Sequence, residues 1–271
     1  MTIVVVLAIV TAAATAVRST WSPCGLSMLS TVTPMAESGR GRRWSVTAAW
    51  FVAGAVLGGL TLGALMAGLA AVSGAAGLST TTALAVAAGA AVLCAASDLD
   101  PFGLHIPFHG RQVNERWLDQ YRAWVYGGGF GWQIGVGLAT YITTAGIYLT
   151  IVLAALTGNP VVAVALGTAF GLARGLAIFA GRNITSTDRL LAVHRRFDAL
   201  RRPVRLATIA VMFAVGIVSA GAAAGLIGAV SAGVVVAVLV ATAHLSHRAR
   251  PAVERASEGA PPMEPAMGGA G

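Results

Sequence analysis

The sequence predicts an all-α, polytopic transmembrane helix bundle of about seven spans, arranged as a 3+3 inverted repeat with an extra C-terminal span. Three observations predict it. Hydrophobic residues make up 56% of the 271-residue chain and charged residues only 10%, too few to coat a soluble domain of this size. Uncharged apolar stretches long enough to cross a bilayer recur along the chain. The arginines that remain cluster after alternate stretches. The formal charge of +8 would suggest nucleic acid in a soluble chain, but no aromatic and basic groove accompanies it, so no nucleic-acid partner is expected. The partner that the composition implies is the lipid bilayer.

The first apolar stretch runs from about 2 to 36 and is too long for one straight crossing. Arg18 falls near its middle, which makes sense only if the helix is interrupted there. The interruption is legible as WSPCGLSMLSTVTP, Trp21 to Pro34, where Pro23, Gly25 and Pro34 break the helix around Cys24. The first seventeen residues lack the positive leading region of a secretory signal, so a retained span is expected.

The second span, about 46–72, carries Gly54 with Gly58 and Gly59 with Gly63, two consecutive small-residue patterns that let helix backbones approach closely. The third is expected over about 81–96. Residues Val113 to Gly129 read as an interfacial helix, with Trp117, Tyr121 and Trp124 on one side, ending in a Gly127-Gly128-Gly129 hinge. The fourth span follows over about 131–156 and the fifth over about 161–180. Thr185 to Pro203 reads as a second amphipathic surface helix, capped by Thr187 or Asp188. The sixth and seventh spans, about 204–226 and 227–245, are separated only by GAAAGLIG, which leaves two crossings or one re-entrant pair open.

Residues 1–246 thus form a transmembrane domain, and 247–271, rich in Pro, Gly, Ala and Glu, form a disordered tail. Arginines follow the first, third, fifth and seventh spans, while the links SGAAGLS, TGNP and AAGLIG are uncharged. The positive-inside rule then puts the N-terminus outside and the C-terminus in the cytoplasm, with the plasma membrane as the location.

Polar groups within spans are costly and become default site candidates. Arg174 in the fifth span either faces the bundle interior or snorkels to its end. In the fourth span, Thr140, Thr143 and Thr144 precede Ala145-Gly146 and form, with Arg18 and Arg174, a candidate polar site. Cys24 and Cys94 are the only cysteines, and neither lies in a pattern with metal-ligand spacing; His105 and His109 are separated by Pro107. No metal or cofactor is expected, and no nucleotide-binding Walker motif is present.

Aligning Gly25 with Gly146 sets Cys24 against Ala145 and suggests that spans one to three and four to six are inverted halves whose broken helices meet. The proline-cysteine in a broken first span, these halves and the charged loop after span three resemble the CcdA/DsbD-type family of membrane thiol-disulfide reductases (cytochrome c biogenesis transmembrane proteins), in its MauF-like branch. The specific part is SPCGLSMLSTVTP. The resemblance implies thiol-disulfide oxidoreductase activity with Cys24 as the catalytic residue and a thioredoxin-like or extracytoplasmic thiol protein as partner. Where that family keeps a second cysteine in span four, this chain has Ala145. Two functions are therefore expected: thiol-redox transfer or protein maturation across the membrane through Cys24, or a non-redox secondary transporter or assembly factor on the same scaffold.

Overall fold

A computed structural model describes residues 2–100 and 121–258, with side chains described as far as Leu245. The fold is all-α, with no strand among the described residues. Among the described residues five helices are long and apolar enough to cross a membrane, and the chain is an integral, multi-pass membrane protein.

The expected first stretch over 2–36 is divided into three helices: α1 (Thr2–Ser19), α2 (Pro23–Thr31) and α3 (Pro34–Gly39). Eighteen helical residues rise about 27 Å, so α1 is a crossing by itself and Arg18 stands at its end rather than at mid-membrane. Pro23 and Pro34 act as helix starters as much as breakers. Each occupies the first turn, where a missing N–H costs nothing, behind a capping hydroxyl: Ser22 accepts from the amide of Gly25 and Thr33 from that of Ala36, both at 3.1 Å. Gly25 is required by the tightness of this return, because a Cβ there would lie 2.3 Å from the carbonyl oxygen of Thr20.

Helix α4 (Trp44–Ala75) is the 32-residue spine of the bundle. Next come α5 (Thr80–Leu99), capped by Ser79, and then α6 (Ala123–Val136) and α7 (Gly146–Leu156). Helix α8 (Pro160–Leu176) begins behind an Asn159 cap and ends in a 3-10 turn, Ala177–Gly181. The two glycine patterns of α4 face different partners. Cβ atoms at Gly54 and Gly58 would fall 2.1 and 2.2 Å from carbonyl oxygens of Gly128 and Trp132 on α6; one at Gly59 would meet Gly167 on α8 at 2.5 Å, and one at Gly63 would meet Val164 at 2.9 Å. The expected hinge at Gly127-Gly128-Gly129 is therefore corrected: these glycines lie inside α6 and let its backbone seat on α4. The part of the expected interfacial helix from Val113 to residue 120 lies outside the described residues, as do His105 and His109.

The expected fourth span over 131–156 is discontinuous. Helix α6 stops at Gly137, whose φ of +73° ends it in the left-handed conformation, and nine residues pass before α7 begins at Gly146. Helix α9 (Thr187–Glu258) contains two helical arms joined at Ala224 and Gly225, whose backbones are non-helical. Residues 202–209 and 240–244 line one cavity, so the second arm folds back along the first. The break lies inside GAAAGLIG, and the close approach of Gly228 to Ala220 shows how small residues make the return. The amphipathic stretch from Thr185 is the start of this helix, and its cap is Ser186, which accepts from the amide of Arg189 at 3.4 Å. The helix continues past Pro251 to Glu258; the rest of the expected tail lies outside the described residues.

Candidate functional site

The end of α1, the end of α5, the gap between α6 and α7 and the first arm of α9 converge at one end of the bundle. Between them lies a cavity of about 450 Å³ lined by residues that include Arg18, Asp98, Thr143, Arg201 and Arg205. Backbone that is not helical is tolerated at membrane depth only where protein or a water-filled space satisfies it. Asp98 performs part of that service. Its carboxylate accepts the hydroxyl of Thr144 and, at 2.7 Å, the amide of Ala145, so it caps α7 from another helix. A negative charge at a helix N-terminus is favourable for the macrodipole as well. On its far side Asp98 is fixed by its main chain, since Arg205 Nη2 donates to its carbonyl oxygen at 2.7 Å.

The threonines singled out from the sequence gather here. Thr143 lines the cavity, Thr144 binds Asp98 and also accepts the amide of Gly146 at 3.1 Å, and Thr140 is fully buried. Among the described residues, the hydroxyls of Thr140 and Thr143 have no hydrogen-bond partner, and neither do those of Thr11 and Thr15 on α1. Thr15 abuts the start of α7, because a Cβ at Gly146 would sit 2.5 Å from its Oγ1. Unsatisfied buried hydroxyls cost about 1–3 kcal/mol each, so a water or a polar group beside them would be favourable.

Arg18 shares the cavity, but Arg174 stands apart from it. Arg174 faces the bundle interior with 4% of its surface exposed. Its guanidinium lies over the ring of Phe170 at 5.7 Å, and a Cβ at Gly137 would be 3.2 Å from its Nη1. Arg174 thus stands beside Gly137, where α6 ends, while Arg18 lines the cavity with Thr143 of the gap.

Cys24 and Cys94 are both free and buried. They belong to separate apolar clusters: Cys24 packs with residues that include Phe51, Phe130 and Ile134, and Cys94 packs on α5 with the cluster around α1 and α7. Among the described residues no group of three His, Cys, Asp or Glu side chains could hold a metal ion.

Two groups escaped the sequence reading. One is Asp98; the other is Glu37, fully buried on α3 and held by Tyr126 and Thr47 hydroxyls at 2.5 Å each and by Arg40 at 3.2 Å. This network ties α3 to α4 and α6. The signal was present in the sequence, because these are acidic residues abutting apolar runs, where a carboxylate survives only with partners.

Comparison with known proteins finds the methylamine utilization protein MauF of Paracoccus versutus, 35% identical over 164 residues, which is 59% of this chain and 59% of that protein. The MauF of Paracoccus denitrificans is 36% identical over 59% of this chain and 58% of its own length, and that of Methylophilus methylotrophus 30% identical over 59% of this chain and 56% of its own. The chain thus spans less than two thirds of the length of these curated relatives. No protein-family model matches it. No solved structure matches it either.

Proposed function

We propose that the chain is a MauF-type membrane protein on a CcdA/DsbD-like scaffold, and that it acts as a non-redox secondary transporter whose centre is the polar junction around Asp98. The observation that carries this reading is the bond from the Ala145 amide to Asp98. Ala145 is where the resemblance calls for a second thiol; a carboxylate-held gap in a helix occupies the place instead. Discontinuous helices meeting beside polar groups are the arrangement of secondary transporters.

On this reading the chain crosses the plasma membrane seven times, with inverted three-span halves, an extra last span, the N-terminus outside and the tail 247–271 in the cytoplasm. The relatives' name extends to a role in methylamine utilization. Methylammonium itself suits the cavity poorly, since four arginines face three aspartates there. A neutral or anionic polar solute fits better. A second reading keeps Cys24 as a working thiol that exchanges with a thioredoxin-like or extracytoplasmic thiol partner; its place at the start of α2, directly after the break in the first stretch, favours it.

Complementation of a strain lacking the gene, read as growth on methylamine, separates the two. Asp98→Asn and Thr143→Val should abolish growth while Cys24→Ser and Cys94→Ser preserve it. Loss of growth with Cys24→Ser, together with a trapped mixed disulfide, would replace the transport reading by the thiol one.

A further inference from the structure

Beside the polar cavity, and sharing Arg202 and Arg205 with it, runs a second cavity of about 540 Å³ between the end of α5 and the two arms of α9. Its character is different. Leu99, Leu206, Ile209 and Val240 give it apolar walls, and no acidic residue is among its lining. One end is therefore oily and the other carries two guanidinium groups. Arg202 has no hydrogen bond or ion pair to another described residue, and its side chain is exposed. Arg205 is half-buried and commits one nitrogen to the carbonyl of Asp98, leaving the rest of its five-donor fork available. Arg18 and Arg201 stand in the adjoining cavity, where the four arginines outnumber Asp98, Asp100 and Asp198 and leave a positive balance.

We propose that this groove holds an anionic phospholipid, with its phosphate on Arg202 and Arg205 and an acyl chain along Leu99, Leu206, Ile209 and Val240. Basic pockets between transmembrane helices are the usual seats of such headgroups, and arginine matches phosphate with two parallel hydrogen bonds. Charge and apolarity occur side by side here in the order in which a phospholipid presents them. A free anion would have no use for the apolar wall, and a neutral lipid none for the arginines. Because Arg205 also holds the main chain of Asp98, a bound headgroup would fix the arginine that positions the end of α5. This inference is independent of whether the polar junction transports anything.

The test uses the full chain in detergent, with thermal unfolding and mass spectrometry of retained lipid as readouts. Dioleoyl phosphatidylglycerol should raise the midpoint and be retained, and dioleoyl phosphatidylcholine with the same chains should do neither. Arg202→Gln should weaken retention about fivefold, the equivalent of one basic contact near a membrane surface. Val240→Trp, at a position 47% exposed and therefore tolerant of bulk, should fill the groove and reduce retention while leaving the arginines intact. Equal shifts from glycerol 3-phosphate would overturn the proposal in favour of a soluble phosphate site. Equal retention of both phospholipids, or wild-type retention by both variants, would overturn it as well.

Discussion

Asp98 and Ala145, 47 positions apart in sequence, are joined by a hydrogen bond of 2.7 Å from the backbone amide of Ala145 to the Asp98 carboxylate. The bond makes the last turn of α5 the cap of α7. The gap between α6 and α7 therefore has its geometry set by a residue outside that span.

Asp98→Ala should accordingly destabilise the protein more than Thr144→Val. The alanine removes both acceptors and strands two donors, an effect of about 2–4 kcal/mol, whereas the valine leaves the Ala145 amide on Asp98 and removes the Thr144 hydroxyl's bonds to Asp98 and from Gly146, about 1–2 kcal/mol. Thermal unfolding of the purified chain checks the order. The double variant should be less destabilised than the sum of the two single variants, because they share the Thr144–Asp98 bond.

Glu37→Ala should cost about 3 kcal/mol, because it leaves the hydroxyls of Thr47 and Tyr126 buried without their acceptor. Glu37→Gln should cost less, since its amide oxygen still accepts. Arg40→Gln, which removes the ion pair and a bond to the carbonyl of Thr31, should still cost least, Arg40 being partly exposed. Unfolding midpoints should follow that sequence.

Gly131→Ala should be among the most damaging of the conservative changes. Its Cβ would lie 2.0 Å from the carbonyl oxygen of Phe51, so α4 and α6 must separate, at a cost of about 1–3 kcal/mol or more. Gly89→Ala meets nothing within 4 Å and should be neutral or stabilising by up to about 1 kcal/mol. Folded yield and midpoint in detergent measure the contrast.

Neither cysteine should react with a maleimide while the protein is folded, and both should react after denaturation. Non-reducing electrophoresis should show no Cys24–Cys94 bridge, since the two thiols sit in different clusters. A fast-labelling Cys24 in the native state would contradict the packing around α2.

Much of this was legible in the sequence because its causes are local. The capping serine, threonine and asparagine before Pro23, Pro34 and Pro160 announce the helix starts they produce, and GAAAGLIG contains the return between the arms of α9. The glycine spacing announced close packing, although it could not say that Gly54 would meet α6 and Gly59 would meet α8. What failed had distant causes. The glycine triplet looked like a hinge because the surface that seats it lies on α4, and the gap at 137–145 looked helical because its sequence is apolar. Asp98 was passed over for the same reason: its importance comes from a partner that only the fold brings near.

The seams on α4 have a mechanical consequence. Helices α6 and α8 are locked to it backbone against backbone, and α5 is paired, less extensively, with α9, where Gly216 sits against Val92. Contacts between these two assemblies are sparser, and the cavity of Arg18, Asp98 and Thr143 lies on their boundary. Any rocking of the molecule that spares both seams must be taken up there. The Asp98 carboxylate, rooted in one assembly and gripping the gap of the other, is then the pin across the joint.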